Sequence, residues 1–479
     1  MSDAVSPPAG STPAQPTPEP RERYARDEAL FWRELDGRPP TSEQIARRVH
    51  GEVGRPQQLR AQIHRLVREY AEAVQAPVNI HQLELVRSSY DEEELLAAID
   101  VLLDDRMTMG PRVAAFEDDW STYLPTATSV MVNSGSSANL MMLAALAFPG
   151  LEGCLRPGDE VILPAVAWST SLFPIGQVGC VPVVVDIDPD SLNIDPAKVE
   201  AAITPKTRAI MAVHLLGNPC DMTALTAMAR RHGLWLIEDC CESHGARVDG
   251  RKVGTFGDLS SFSFFFSHHM TSIEGGMICA ADRARWQDLL VSMRAHGWIR
   301  GRSDHDDWVR QYPDIDPRWL FVTPGYNLRP TEINAAFGRV QLSKMPGFIE
   351  RRTATRRRVL DRLARYEGLF RFQKEPAGGL HTSFGLSFVV RPDAPFTRAA
   401  FQAYLESKNI QTRPIVGSNL VRQPVMRHLP HRVAGPLPAA DMVHFHGVMV
   451  ANHHNVTRSQ EDYLIDCIES FVRQHTAGV

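Results

Sequence analysis

Residues 207–239 read TRAIMAVHLLGNPCDMTALTAMARRHGLWLIED. An apolar run at Ala209 to Val213 is followed by helix-forming sequence and a second apolar run at Trp235 to Ile237. Strand, crossover and strand is the unit from which parallel sheets are built. The pattern repeats upstream at Ser129 to Val132, Glu160 to Leu163 and Val181 to Val185, with helical segments between. The spacing predicts an α/β chain with a mostly parallel sheet. Ligand-binding loops should then fall at the carboxyl ends of its strands.

The alternation starts near Tyr90 with the amphipathic run DEEELLAAIDVLLDD and changes character after about Met345. Beyond lie a basic helix (IERRTATRRRVLDRLARY), a strand (Ser383 to Val390), a helix (Arg398 to Lys408) and a terminal helix around Asp462 to Arg473. That pattern predicts a smaller α+β domain over 346–479, after a large domain over 85–345. Residues 1–22, including SPPAGSTPAQPTPEP, have almost nothing to bury and read as a disordered tail. Residues 23–84 carry apolar positions at helical spacing, as in Leu59, Ile63, Leu66, Val67 and Tyr70, and read as a helical appendage. It is expected to pack on the body or at a subunit interface rather than to be catalytic.

A length of 479 residues exceeds one compact core, and 43% hydrophobic with 22% charged residues suits a soluble globular protein. The net charge of −5 and scattered basic residues argue against a nucleic-acid partner. No apolar stretch approaches a membrane span and the N-terminus has no apolar signal core, so a cytoplasmic address is expected. Seven cysteines without a regular framework point to reduced thiols.

Three segments carry chemistry. Asn133-Ser134-Gly135-Ser136-Ser137-Ala138-Asn139 lies between a strand and an apolar helix. Free amides, hydroxyls and a glycine there suit a phosphate, although small polar residues also simply cap helices. Leu236-Ile237-Glu238-Asp239 ends a strand in a carboxylate, which either anchors a loop or pairs with a pyridinium nitrogen so that the ring draws electrons. Glu242 follows closely, and Trp168 offers a flat face for stacking. The third segment is Ser261-Phe262-Ser263-Phe264-Phe265-Phe266-Ser267-His268-His269-Met270-Thr271-Ser272-Ile273-Glu274-Gly275-Gly276.

The order of GSSAN, tryptophan loop, IED and SFSFFFS with a following EGG resembles the DegT/DnrJ/EryC1/StrS family of sugar enzymes. The resemblance implies fold-type I of the pyridoxal-phosphate (PLP) enzymes, the aspartate aminotransferase-like fold. In that family a lysine follows the last serine of the SF motif; here the residue is His268. Imidazole cannot form the lysine's Schiff base, but its near-neutral pKa suits acid–base work. The six lysines, Lys198, Lys206, Lys252, Lys344, Lys374 and Lys408, all lie outside the motif.

The departure resembles the family's 3-dehydratase branch, lyases of deoxysugar biosynthesis that hold pyridoxamine phosphate (PMP) without a covalent bond. One sub-branch carries a 2Fe–2S cluster, which needs four thiolates. Cys241 stands where its first ligand falls, but AHGWIRGRSDHDDWVRQYPDIDPRWLF contains no cysteine, so no iron–sulfur cluster and no other metal is expected. The stretches PAVAWST, LLGNP, FFSHHMTSIEGGMI, MRAHGWIR, FVTPGYNLRP and RPIV resemble the other sub-branch, which serves colitose and polysaccharide biosynthesis. The first eighty-odd residues look more like the start of the cluster-bearing one.

That resemblance implies C3-dehydration of a nucleotide-linked 4-keto-6-deoxy sugar, with GDP-4-keto-6-deoxy-D-mannose as the first candidate and CDP or dTDP sugars as alternatives. L-Glutamate would restore PMP. It assigns Gly135, Ser136 and Ser263 to the cofactor phosphate, with Asn327 reaching in from a partner subunit of a homodimer with shared sites. Trp168 would stack on the ring, Asp239 would pair with its nitrogen, and Glu242 would sit nearby. His268 would be the catalytic base. His296, Arg300, Arg329 and Arg413 are candidates for the sugar or its diphosphate, since guanidinium groups match paired phosphate oxygens. The rival readings are an aminotransferase using another lysine, Lys252 being nearest the motif, and a non-catalytic scaffold.

Overall fold

A computed structural model describes residues 55–74 and 77–476. The expected tail, residues 1–22, and residues 23–54 of the expected appendage lie outside the described residues. The helix Arg55–Ala73 belongs to one compact unit and the chain from Val74 onward to another. Taken alone, that helix has no buried residue, and Leu59, Leu66 and Tyr70 are exposed along it. The appendage stops short of residue 84: Leu83 is buried in the second unit, exchanging backbone hydrogen bonds with Asn409 (3.0 Å) and Gln411 (2.9 Å).

Fifteen strands follow in chain order: β1 (Thr128–Val132), β2 (Glu160–Pro164), β3 (Val181–Val185), β4 (Thr207–Val213), β5 (Trp235–Asp239), β6 (Arg247–Val248), β7 (Arg251–Lys252), β8 (Leu259–Ser263), β9 (Gly276–Ala280), β10 (Phe370–Phe372), β11 (Gly379–Leu380), β12 (Gly385–Val390), β13 (Thr412–Arg413), β14 (Arg432–Val433) and β15 (Gly447–Ala451). Eight form the main sheet in the order β1-β9-β8-β5-β4-β2-β3-β14. Only β9 runs antiparallel to its neighbours there. Its central strands are buried on both faces, which is why they read as continuous apolar runs and not as alternating ones. The helix Gly135–Leu146 is apolar almost all round and packs between this sheet and other helices.

A second, antiparallel sheet, β10-β12-β15-β13, builds its own core around Phe370, Phe388, Phe401 and Phe471. The two lobes do not part at residue 345, as the sequence suggested. The helix Glu332–Leu363 runs through that point with Pro346 inside it, since one lost amide bond does not end a helix buried on both sides of the proline. β14, far beyond the expected boundary, pairs in parallel with β3 of the main sheet. Arg432 on β14 forks onto Glu160 of β2 at 3.0 and 2.8 Å.

The long helix is clamped to the terminal helix Arg458–Thr476 by Glu461, whose fully buried carboxylate accepts from Arg351 (2.7 Å), Arg358 (2.8 Å) and Thr355 (2.8 Å). Glu461→Ala removes the acceptor that three donors share, leaving Thr355 without it, Arg351 with only the Val456 carbonyl and Arg358 with only Asp462. The expected cost is roughly 2–3 kcal/mol of stability, read as a lower urea midpoint. No helix among the described residues is long and apolar enough to cross a membrane.

Candidate active site

The carboxyl ends of β1, β2, β4, β5 and β8 converge on a cavity of about 540 Å³. At one end lies the start of helix Gly135–Leu146. Ser134 caps it by accepting from the Ser137 amide (3.1 Å), while the Gly135 and Ser136 amides have no acceptor among the described residues. A side chain at Gly135 would overlap Ser263, lying 2.9 Å from its Oγ and 3.0 Å from Cys241 Sγ, so only glycine lets β8 and this helix approach so closely. Gly276 does the same beneath the Ser134 carbonyl. Two open amides, a helix N-terminus and the Ser136 and Ser263 hydroxyls form an anion cradle.

Opposite it stands Asp239, at the end of β5 and buried. Oδ2 accepts from Asn139 (2.8 Å) and Ser171 (2.7 Å), and Oδ1 from the Cys241 amide (3.0 Å). Asn139 is held in turn by Ser261 (2.6 Å). Three of a carboxylate's roughly four acceptor directions are thus used within the chain, leaving one on Oδ1 for a cationic donor in the cavity. Trp168, 56% exposed at the start of helix Ser169–Gln177, presents an aromatic face to the same space.

His268 lies on the wall, on the loop between β8 and β9, with ring centroids 5.2 Å from Phe384 and 6.1 Å from Phe265. Nδ1 is buried without a partner. Burial holds its pKa down at about 4, and the Arg352 guanidinium adds to this, against the opposite pull of the Cys241 carbonyl and Asp239. Glu242 accepts from the Leu216 amide (2.9 Å) and is pushed up to about 7, chiefly by burial. Leu216 reaches that position in a left-handed conformation, φ 55°.

Of the residues singled out from sequence, Gly135, Ser136, Trp168, Asp239, Glu242, Ser263, His268 and Arg413 line one cavity. Asn327, His296, Arg300 and Arg329 do not line it. Asn327 accepts from Arg329 Nε (2.9 Å), and Arg300 and Arg329 lie over the Trp298 ring at 4.6 and 5.8 Å. Sequence reasoning missed Asn139 and Ser171, which fix the carboxylate, and Phe384, Val416 and Met449, which the C-terminal lobe adds to the wall. Asn139 left a signal, lying one helical turn after Gly135 and hence on its face. No lysine lines the cavity. Lys252 instead donates to the Tyr123 carbonyl and lies 3.4 Å from that ring's centroid.

The profile of the DegT/DnrJ/EryC1/StrS aminotransferase family matches residues 88–469. The chain belongs to that family. Within it, the chain is 40% identical over 375 residues to a GDP-4-keto-6-deoxy-D-mannose 3-dehydratase of Yersinia pseudotuberculosis, covering 77% of this chain and 93% of that one. It is 36% identical over 425 residues to a dTDP-4-dehydro-2,6-dideoxy-D-glucose 3-dehydratase of Saccharopolyspora spinosa, covering 85% and 90%. A crystal structure of GDP-4-keto-6-deoxymannose-3-dehydratase with a trapped PLP-glutamate geminal diamine superposes with a TM-score of 0.74 at 34% identity, over 81% of this chain and 100% of that one. The fold is that of the DegT/DnrJ/EryC1/StrS proteins: fold-type I, with a mostly parallel large sheet.

Proposed function

We propose that the chain is a PLP/PMP-dependent nucleotide-sugar 3-dehydratase that removes the C3 hydroxyl of GDP-4-keto-6-deoxy-D-mannose, with L-glutamate restoring the amine. The observation that carries this reading is His268, standing where the family has lysine, on a cavity that no lysine lines. The cavity fits the cofactor: an anion cradle at one end, a carboxylate with one acceptor direction still open at the other and an aromatic face between them. Bound PMP supplies an amine for the sugar's C4 ketone and a ring that accepts electrons as the C3 hydroxyl departs.

Gly135, Ser136 and Ser263 hold the phosphate, and Asp239 keeps the ring nitrogen protonated. Trp168 covers the ring, with Glu242 alongside. His268, free of a proton at neutral pH, takes one from the cofactor's C4′ carbon and delivers it to the leaving hydroxyl. Arg413, on the cavity wall, suits the sugar's diphosphate. The enzyme works as a homodimer, in which Asn327, and with it His296, Arg300 and Arg329, serve the neighbouring copy's cavity. Support comes from their lying off their own cavity, and from the exposed Phe265, Phe266 and Ile273 on the loop beside it.

The test is mass spectrometry of the sugar nucleotide after incubation with PLP, L-glutamate and GDP-4-keto-6-deoxymannose. Loss of one oxygen supports dehydration, whereas a stable amino sugar overturns it in favour of transamination. Turnover of only a dTDP sugar would favour the second nucleotide, a reading supported by the match to the Saccharopolyspora protein. Borohydride should leave no covalent cofactor adduct, because no lysine is in place. A base must be unprotonated, so its working fraction is full above its pKa and falls as pH drops through it. With His268 held at about 4, kcat/KM is expected to stay level from neutral pH down to about 5 and then fall. A midpoint near 6.5 in the pH–rate profile would count against His268.

A further inference from the structure

Arg352 is buried in the long helix, 2% exposed, on one stripe with Thr355, Val359 and Leu363. Among the described residues no carboxylate lies within ion-pair distance of it. Its charge is spread over carbonyl oxygens. Nη1 donates to Asn452 (2.8 Å), Phe384 (3.1 Å) and Ser383 (3.4 Å), and Nη2 to the carbonyl of His268 itself (3.3 Å). Nε is buried without an acceptor.

The guanidinium thus ties together the His268 loop, the segment entering β12 and the segment leaving β15. It also sits among imidazoles: His244 lies 5.2 Å from His269 and 6.5 Å from His268 between ring centroids, and His453 and His454 face it from the C-terminal lobe. A cation buried without a counter-charge is costly, and an apolar side chain of similar volume would avoid that cost. The position therefore calls for a role that needs the charge.

We propose that Arg352 is a positioning residue for His268, fixing the backbone of the base against Phe384 and supplying a lasting positive charge among the histidines. The inference rests on the reading of His268 as the base. A guanidinium so placed repels any proton that settles on the imidazoles, so His268 holds the proton taken at C4′ only in passing and hands it to the departing hydroxyl. Other groups face His268 as well: Asp239 and Glu242 beyond β5, the Cys241 carbonyl, His244 in the following turn and His269 in its own loop. Burial and then Arg352 push His269 well below the usual histidine range, and burial, His268 and Arg352 do the same for His244. Arg352 itself is lowered to about 9 by burial.

The test compares pH profiles of kcat/KM for the holoenzyme, Arg352→Met and Arg352→Lys. The methionine variant, similar in length and uncharged, should raise the acid limb by about one pH unit. The lysine variant should leave the limb in place while lowering kcat, because an ammonium cannot span the same four carbonyls. A methionine variant slowed by one factor at every pH would mean a merely structural role and overturn the proposal.

Histidine NMR of the wild-type holoenzyme decides the matter if that variant does not accumulate. The His268 ring, assigned by its absence in His268→Asn, should be neutral at pH 6, and titration near 6.5 would overturn the proposal. Failure of the underlying reading looks different, because His268→Asn would then keep the wild-type rate.

Discussion

His268→Asn is expected to lower turnover by roughly 10²–10⁴-fold, the usual worth of a positioned acid–base group, while the protein still folds and takes up cofactor. Asparagine roughly preserves the volume beside Phe384 and Phe265. Nδ1 of the imidazole is already without a partner, and an asparagine amide remains a donor for the Cys241 carbonyl that faces the ring. The cradle at Gly135 and the carboxylate of Asp239 are untouched. Cofactor absorbance should therefore survive as the rate collapses, and that separation distinguishes a lost base from a damaged pocket. A variant that lost both together would mean that His268 shapes the site and does not act in it.

Asp239→Asn should act at the other end, on binding. Asn139, Ser171 and the Cys241 amide all donate to the aspartate. An asparagine offers one oxygen and turns an NH2 against the donors on its other side. It also removes the charge that would pair with the ring nitrogen. Truncating one side of a buried charge pair costs about 2–4 kcal/mol, so cofactor affinity is expected to fall roughly 30- to 1000-fold, measured by titrating apo-protein with PLP and with PMP. Turnover at saturating cofactor should drop as well, because a neutral ring draws electrons less strongly. An unchanged dissociation constant would place the ring nitrogen elsewhere.

Five strands of the main sheet, β1 to β5, were legible within a residue or two, because a strand buried on both faces cannot hide its apolar run; β8, β9 and β14 were not read as strands. The part of the cavity wall that the main sheet supplies was legible for a related reason. Asn133 to Asn139, Leu236 to Asp239 and Ser261 to Gly276 are each contiguous, so the geometry that unites them leaves whole motifs in the sequence. What the C-terminal lobe adds was not. Val416 enters the wall from a loop in a left-handed conformation, φ 44°, and nothing in the apolar runs around Phe384 and Met449 shows that these two residues face the cavity.

Arg352 was hidden in another way. The run of basic residues after Ile349 reads as a solvated face, and only its register with Thr355, Val359 and Leu363 turns one arginine inward.

The two residues of β14 also bear on how this chain could be recombined with its relatives. A crossover near Met345, where the sequence changes character, would cut the long helix in two. It would also hand β3 an unfamiliar edge partner, or none, and an unpaired edge is a template for aggregation. A graft beginning at Glu332 would instead carry the helix with Arg352, the edge strand and the Glu461 clamp as one heritable block. Chimeras built on that seam should express in soluble form, and those built on the apparent boundary should not.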